Sequence, residues 1–291
     1  MNSYPTVLVH VLARDKSKTL PLYLECLEKL EYPKKSIILY LVTNNNTDNT
    51  KKLLQEYIIK NNNLYQEIIF ECKDLDFNIE QYGVHEWNAT RLTVIRHLRD
   101  KGLAMAREKS CDFYFTCDID NYIMPYTLNN LVSANVPVIS PLIKYADDHM
   151  EINESEYPKN VYNYKICNTL ANFTNVVTPA GDVFYVEDPN HYPHEYMDIL
   201  NRKYPGLYQV ELVHQVYLIR KDVFSCISYQ NGYPFAFDYI NLCHLLRSTG
   251  IPQIIDTRHE YGYFTFTENQ EACRRYMNNI GFYNGDKNDK N

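Results

Sequence analysis

The sequence predicts an α/β protein with a mostly parallel central sheet that helices cover on both faces. The main observation is an alternation of short apolar runs of strand length with segments whose apolar residues recur at helical spacing. The length of 291 residues is enough to bury a large core in one or two domains. With 45% hydrophobic and 22% charged residues, the composition is that of an ordinary soluble globular protein.

The alternation is clearest in residues 1–140. The apolar run at 6–12 predicts a strand, which ends at a polar loop, and a second strand is predicted at 36–42. Leucines at helical spacing predict a helix at 20–30 between these strands. The further elements predicted in this part are a helix from about residue 51, a helix at 88–109, and strands at 113–117 and 136–140.

Beyond residue 140 the alternation is weaker. Residues 145–205 are polar and rich in Tyr and Pro, and we expect them either to be loop-rich and to face a ligand or to be partly mobile. A strand is predicted at 210–220, a helix at 237–249 and a short strand at 253–256. The polar residues 285–291 are predicted to form a disordered tail.

The triplet Asp118-Ile119-Asp120 is the most informative motif. It ends the aromatic-rich run at 113–117, so a buried strand would deliver both carboxylates to the edge of the sheet. Residues spaced i and i+2 leave a strand on the same face, and a loop can turn them toward one hard cation. Such a cation could clamp the phosphates of a sugar nucleotide and neutralise the leaving group. The same triplet also occurs in solvated turns.

Arg99 lies in the middle of the apolar stripe of the helix predicted at 88–109. That stripe consists of Leu92, Ile95, Leu103 and Ala106. Because a guanidinium keeps its charge, Arg99 must extend to solvent or find an anion. The anion could belong to a structural ion pair, or to a donor nucleotide or metal-binding loop. Arg96 and Arg107 flank the stripe and are predicted to be solvated or paired on the surface.

Charge and cysteine content exclude several classes of protein. The net charge of −7 without a long Lys/Arg block argues against nucleic acid as the main partner. No apolar stretch approaches the length of a membrane span, and residues 1–5 do not resemble a signal peptide. The eight cysteines are scattered without a C-x-x-C motif, which argues against a zinc site and a dense disulfide framework. Reduced thiols and a cytoplasmic location are therefore expected.

Residues 86–121 resemble, without gaps, the donor-site segment of the procollagen galactosyltransferase family. The matching positions are Glu86, Trp87, Arg91, Leu98, Arg99, Leu103, Ala106, Arg107, Asp118, Ile119, Asp120 and Asn121. Later motifs recur in family order and include Val213-His214, Phe237-Asp238 and Glu260-Tyr261-Gly262. The resemblance extends from about residue 7 to residue 264, while residues 145–209 match poorly and suggest an insertion.

The resemblance implies a single GT-A glycosyltransferase domain at residues 1–284. A nucleotide-binding half would span about 1–141 and an acceptor-binding half about 142–284. The family uses UDP-galactose and a manganese ion to attach β-galactose to hydroxylysine in collagen-like chains. A version without a second transferase-like half or an endoplasmic-reticulum retention tail would suit a microbe or a large DNA virus, with the protein in the host cytoplasm. Homo-oligomerisation is left open.

The resemblance also assigns metal and catalytic roles. Asp118 and Asp120 would bind Mn²⁺ or Mg²⁺, with Asp118 also contacting the ribose, and His214 would complete the metal site. The alternative for His214 is a hydrogen-bonded residue inside a strand. Asp238 would be the general base of an inverting reaction, or else an N-cap. The family has a second aspartate after this position, where this chain has Tyr239.

Four candidates for donor binding, Arg14, Thr43, Asn44 and Asp48, lie at the ends of predicted strands and would suit uracil and ribose, and Trp87 would stack on sugar or base. Asp48 could instead cap the helix that follows it, and Trp87, the only tryptophan, could instead be a core aromatic. The full set of donor-binding candidates is Arg14, Thr43, Asn44, Asp48, Trp87, Arg99 and Asp118.

Three alternatives to the galactosyltransferase prediction are kept. A transferase that uses UDP-glucose would differ by one stereocentre of the donor sugar. A sugar-nucleotide hydrolase or nucleotidyltransferase could use the same metal site. An inactive carbohydrate- or collagen-binding module would retain the fold without the reaction.

Overall fold

The computed structural model describes residues 4–75, 88–146, 202–210, 212–233, 236–265 and 268–283, together with the strand segments 169–170, 173–177 and 183–187. The strands are β1 (Val7–Leu12), β2 (Ile37–Thr43), β3 (Glu67–Cys72), β4 (Phe113–Cys117), β5 (Asn121–Ile123), β6 (Val138–Pro141), β7 (Lys144–Tyr145), β8 (Thr169–Leu170), β9 (Phe173–Val177), β10 (Val183–Glu187), β11 (Leu207–Val210), β12 (Leu212–Val213), β13 (Val216–Arg220), β14 (Gln253–Asp256) and β15 (Gly262–Phe264). The α-helices are α1 (Leu20–Lys29), α2 (Thr50–Asn61), α3 (Ala89–Glu108), α4 (Thr127–Ala134), α5 (Asp238–Ser248) and α6 (Gln270–Asn279). Two 3₁₀ helices span Lys34–Ser36 and Lys221–Cys226.

The main sheet has eight strands in the order β11-β14-β6-β13-β4-β1-β2-β3. β1 pairs in parallel with β2 and β4, and β2 pairs in parallel with β3. β6 and β14 are parallel to each other, whereas β13 is antiparallel to its neighbours β4 and β6, and β11 is antiparallel to β14. Both predicted halves of the chain therefore contribute strands to one mostly parallel sheet, and the predicted α/β fold is confirmed.

Apolar clusters cover both faces of this sheet because side chains alternate along each strand. Val7 and Val9 of β1 belong to one cluster, which includes residues of α1, α2, α4 and α6. Leu8 belongs to the other cluster, together with Leu103 of α3 and Leu242 of α5. The helices that flank the functional motifs are α3 and α5, and both lie on this second face.

The strand predicted at 210–220 is wrong as a single element. Its residues form parts of β11, β12 and β13, which belong to two different sheets. Gln215 has a φ of 61°, a left-handed conformation that cannot continue a strand. The break places His214 and Gln215 beside the end of β4, since the Asp118 amide donates to the Gln215 carbonyl over 3.1 Å.

A small sheet of β5, β15 and β7 supports the turn that carries the two aspartates. β5 follows Asp120 directly and pairs antiparallel with β15. Gly262 has a φ of 141°, and a Cβ there would lie 2.0 Å from the Tyr122 carbonyl oxygen. The Thr265 amide donates to the Asp120 carbonyl over 3.1 Å. The close approach at Gly262 therefore lets the C-terminal segment hold the Asp120 backbone.

The surface prediction for Arg96 is also wrong. Arg96 is only 5% exposed, and it donates to the Tyr233 carbonyl over 2.8 Å and to the Thr93 hydroxyl over 3.1 Å. The segment before α5 packs over this part of α3, so the buried stripe is wider than the apolar residues indicate. Arg107 is exposed and donates to the Phe224 carbonyl over 3.0 Å.

Several predictions fall outside the described residues. These are the tail at 285–291 and most of the loop-rich segment at 145–205. Within that segment the described strands β9 and β10 form an antiparallel pair, and β8 pairs with β12. In the ranges that are described, no helix is long and apolar enough to cross a membrane.

Candidate active site

The Asp118–Asp120 turn begins where β4 ends, at the edge of the sheet. The Asn121 amide donates to the Asp118 carbonyl over 2.9 Å, which closes a tight turn. Ile119 is 2% exposed, whereas the side chains of Asp118 and Asp120 are 33% and 22% exposed. The two carboxylates are therefore accessible to a ligand, and the apolar residue between them fixes the turn to the core.

Asp120 contacts a cation from the loop that follows β1. The Lys16 ammonium lies 3.6 Å from Asp120 Oδ2, and the Asn121 side-chain amide donates to Oδ1 over 2.9 Å. Burial raises the pKa of the Asp120 carboxyl, and the nearby Asp118 charge raises it further, while Lys16 opposes both effects. The Asp120 carboxylate therefore lies where a positive charge stabilises it.

Arg99 joins the two acidic parts of the site. Its side chain is 3% exposed, and Nε donates to Asp238 Oδ2 over 3.2 Å. The other guanidinium nitrogens donate to the Asp118 carboxylate and to the Thr116 hydroxyl. Burial would lower the pKa of Arg99, but the carboxylate partners hold it well above its ordinary value. Arg99 therefore makes a buried ion pair and also contacts the predicted metal-binding turn.

Asp238 is the first residue of α5, and the N-cap position belongs to Phe237. A carboxylate in the first turn is favoured by the helix dipole. Asp238 is 7% exposed, and burial raises the pKa of its carboxyl, while Arg99 opposes this increase. Arg99 donates to both Asp238 and Asp118, so a single guanidinium links the predicted base to the predicted metal-binding turn.

His214 lies between β12 and β13, close to the start of α5. Its ring centroid is 3.9 Å from that of Tyr239, which stands where the family resemblance predicts a second aspartate. Burial is the main cause that lowers the pKa of His214 to about 4; the nearby Asp118 charge opposes this decrease, and the Arg99 charge adds to it. The imidazole is therefore neutral at pH 7, which is the form that ligates metals.

The predicted nucleotide-binding residues Thr43 and Asn44 lie at the carboxyl end of β2. The buried Thr43 hydroxyl donates to the Ala13 carbonyl over 2.6 Å. Asn44 is 6% exposed, and its side-chain amide donates to Asn45 over 2.9 Å. The bond from Thr43 to Ala13 fixes the carboxyl ends of β1 and β2 next to each other.

Asp48 and Arg14 belong to the same pair of loops. Asp48 accepts from the Ser17 amide over 2.8 Å and from the Thr50 amide over 2.9 Å. Burial raises the pKa of Asp48, but these hydrogen bonds outweigh it and keep the pKa below its usual value. Arg14 Nε lies 3.7 Å from Asp15 Oδ2. Trp87 lies outside the described residues, so its predicted contact with sugar or base stays a prediction.

The profile of glycosyltransferase family 25, N-terminal domain, matches residues 4–274 of the sequence. The chain belongs to glycosyltransferase family 25. The resemblance identified from the Asp118–Asp120 region is therefore confirmed over most of the chain. The Arg99 ion pairs join the two acidic motifs of this family 25 chain, which are 120 residues apart in sequence, at one edge of the sheet.

Relatives of this family 25 chain include proteins named procollagen galactosyltransferases and proteins named inactive family members. It is 30% identical to procollagen galactosyltransferase 2 of Homo sapiens over 267 residues, or 89% of this chain and 38% of that protein. It is 30% identical to procollagen galactosyltransferase 1-B of Xenopus laevis over 268 residues, or 89% and 39%. It is 25% identical to inactive glycosyltransferase 25 family member 3 of Mus musculus over 267 residues, or 89% and 40%. The chain thus spans about two-fifths of the length of these relatives.

Solved structures support the GT-A fold. The crystal structure of GalNAc-T7 with UDP, GalNAc and Mn²⁺ matches with a TM-score of 0.55 and 13% identity. The match covers 94% of this chain and 48% of that chain. At this level of identity the similarity concerns the fold alone.

The donor set of this turn fits a hard divalent cation. The two partly exposed carboxylates supply oxygen ligands, and the Lys16 ammonium already occupies a cation position beside Asp120. Among the residues that the structure describes, no three His, Cys, Asp or Glu side chains are grouped closely enough to hold a metal. The role of His214 as third ligand therefore stays a prediction, and phosphate and water would fill the other positions.

Sequence patterns did not single out Lys16 or Gln215. Lys16 is one of two lysines in a polar loop, and only the folded chain places its ammonium beside Asp120. Gln215 is 7% exposed, and its side-chain oxygen has no hydrogen-bond partner in the described ranges. Its position two residues after a conspicuous apolar pair, Leu212–Val213, gave no indication of a strand break.

Proposed function

We propose that this chain is a metal-dependent inverting glycosyltransferase that moves galactose from UDP-galactose to hydroxylysine of a collagen-like polypeptide. The observation that carries this proposal is the pair of bonds from Arg99 to Asp118 and Asp238. They join a candidate diphosphate-binding turn to a candidate base across one buried guanidinium. The procollagen galactosyltransferases to which the chain is similar support the choice of donor and acceptor.

The charges of the site favour a cation-dependent donor. Asp118, Asp120 and Asp238 contribute three negative charges, and Lys16 and Arg99 contribute two positive charges, so the group has a net charge of −1. A diphosphate is itself an anion and would be repelled by this group. A divalent cation held by the two aspartates of the turn would reverse the sign and stabilise the charge of the leaving UDP.

The chain's own residues would then perform the proton transfer. The acceptor oxygen forms a bond to the anomeric carbon while the bond from that carbon to the diphosphate breaks, and the electron pair leaves with UDP. Asp238 accepts the proton of the acceptor hydroxyl. Burial raises the pKa of Asp238, which makes it a better proton acceptor, and the bond from Arg99 keeps the carboxylate in place. An α-configured donor gives a β product by such a displacement.

An inactive binding module is the second candidate, because one relative at 25% identity is named an inactive family member. Tyr239, which replaces the second family aspartate, packs against His214 and is the departure most relevant to this candidate. Such a module would bind UDP or a collagen-like chain without release of sugar.

A donor and acceptor screen tests the proposal. UDP-galactose, UDP-glucose and UDP-N-acetylglucosamine are each incubated with a hydroxylysine peptide, the same peptide with lysine, and a galactosyl-hydroxylysine peptide, in Mn²⁺ and in chelator. We expect UDP release to be fastest with UDP-galactose and the hydroxylysine peptide in Mn²⁺, with a β-linked product.

Other results would select the alternatives. UDP release at the same rate with every peptide would identify a hydrolase. Faster transfer from UDP-glucose would identify UDP-glucose as the donor. Transfer only to galactosyl-hydroxylysine would identify that residue as the acceptor. UDP binding without release from any donor would favour the inactive module.

A further inference from the structure

We propose that Lys16 binds the diphosphate of the donor, and that it leaves Asp120 to do so when a divalent cation occupies the turn. This inference rests on the proposed function, because it specifies how the same site holds its donor. Lys16 contacts the turn from the loop after β1, which is a part of the chain distant in sequence from the aspartates.

The backbone of Lys16 is fixed on both sides. Its amide donates to the hydroxyl of the buried residue Thr50 over 2.7 Å. Its carbonyl accepts from the amides of Thr19 and Leu20 over 3.1 and 2.9 Å, at the start of α1. The origin of the side chain is therefore held at the carboxyl edge of β1 and β2, where ligands of such sheets bind.

The side chain of Lys16 is pre-positioned but not tightly bound. It is 24% exposed, and its ammonium lies 3.6 Å from Asp120 Oδ2. This distance is typical of an ion pair and is longer than a good hydrogen bond. The ammonium has three donors, so it can accept a better partner at the same place without leaving the site.

A cation at the turn supplies the reason for the exchange. The cation would neutralise the negative charge of Asp120. It would also repel the Lys16 ammonium, because like charges at short distance are unfavourable. The phosphate oxygens that arrive with the cation are the nearest new anionic acceptors. Lysine binds phosphate as a compact point charge, and the ammonium would also stabilise charge that develops on the leaving UDP.

Lys18 provides a matched control on the same loop. Its side chain is 75% exposed, and its ammonium pairs with Glu268 at 3.0 Å. Lys18→Ala therefore removes the same charge two residues away without a contact to Asp120. Any effect of the overall charge of the loop should appear equally in both variants.

Calorimetric titration of UDP and uridine in saturating Mn²⁺ tests the assignment with the wild-type chain, Lys16→Ala, Lys16→Gln and Lys18→Ala. We expect both Lys16 variants to lose about 10–100-fold in UDP affinity, the range for a charge-assisted hydrogen bond, with uridine affinity unchanged. Lys18→Ala should stay within about twofold of the wild type. Because Lys16 would no longer compete for Asp120, Mn²⁺ affinity without nucleotide should rise in the Lys16 variants.

Four results would overturn the assignment. The first is wild-type UDP affinity in both Lys16 variants, and the second is an equal loss in Lys18→Ala. The third is an equal loss of uridine affinity, which would indicate damage to the whole site. The fourth is a loss of UDP affinity without a rise in Mn²⁺ affinity, which would contradict the exchange at Asp120.

Failure of the proposed function would look different. If the wild-type chain transfers no sugar but the Lys16 variants lose UDP affinity as expected, the proposed reaction is wrong and the role of Lys16 in diphosphate binding is kept. If the wild type transfers galactose while the Lys16 variants bind UDP normally, only the role of Lys16 falls. A wild-type chain that binds no UDP in Mn²⁺ would overturn both.

Discussion

Replacing Arg99 with leucine is expected to lower the free energy of unfolding by about 3–5 kcal/mol, because it leaves the buried Asp238 carboxylate and the partly exposed Asp118 carboxylate without their cation. The two partners are Asp238 and Asp118, whose side chains are 10% and 33% exposed. The protein that remains folded should also bind UDP more weakly, since Asp118 loses the bond that orients it. Urea denaturation and UDP calorimetry on the same preparation measure both effects.

Arg107→Leu is the control for this prediction, because Arg107 lies on the same helix and is exposed. It should change the free energy of unfolding by less than about 1 kcal/mol. If folded Arg99→Leu binds UDP as the wild type does, Arg99 is only a structural ion pair. If it unfolds as the Arg107 variant does, the buried pairs contribute little to stability.

Replacing Asp238 with asparagine should reduce the transfer rate by about 10²–10⁴-fold, because the variant keeps the size of the side chain but cannot accept the acceptor's proton. UDP affinity should stay within a few-fold, since Arg99 keeps its bond to Asp118. The free energy of unfolding should fall by about 1.5–3 kcal/mol, the value for a hydrogen bond to a charged group. Single-turnover rates, UDP affinity and melting temperature test these effects together.

Asp222→Asn is the matched control for Asp238. Asp222 is 56% exposed and pairs with Arg220 on the surface, so its loss should leave the transfer rate unchanged. Transfer near the wild-type rate in Asp238→Asn would mean that Asp238 only holds Arg99 in place. A large loss of UDP affinity would mean that the substitution disturbs the donor site rather than the proton transfer.

Elements with strong periodicity could be predicted from the sequence. β1, β2 and β4 are continuous apolar runs, and α1 carries leucines at helical spacing, so their existence and type are confirmed. β3 was not predicted, because its sequence EIIFEC has glutamates and is half-buried along the whole strand. The helix α4 has only eight residues, which is too short for the spacing of its apolar residues to distinguish it from a loop.

Contacts between distant segments explain the errors. The run at 210–220 is apolar enough for one strand, but the left-handed backbone at Gln215 breaks it where it meets β4. Arg96 was predicted on the surface because the periodicity of a helix gives no information about the other segments that pack against it. Its carbonyl partner at Tyr233 is 137 residues away in sequence.

The candidate site could be predicted in part. The apolar stripe of α3 indicated that Arg99 needs an anion, and the family resemblance indicated Asp118 and Asp238 as important residues. That one guanidinium contacts both carboxylates depends on the packing of α3 between β4 and α5, since Asp238 is 139 residues from Arg99. The same reasoning applies to Lys16, which the sequence did not distinguish from Lys18.

The dependence of UDP binding on Mn²⁺, measured by calorimetry in the wild type and in Asp120→Asn, tests the central claim most directly. That claim is that the Asp118–Asp120 turn binds a nucleotide diphosphate through a divalent cation. The wild type should bind UDP about 100-fold or more tightly in Mn²⁺ than in chelator, because a bound metal stabilises phosphate charge by several kcal/mol. Asp120→Asn should lose most of that difference and keep its melting temperature. Equal UDP affinity of the wild type in Mn²⁺ and in chelator, or an undiminished Mn²⁺ effect in Asp120→Asn, would contradict it.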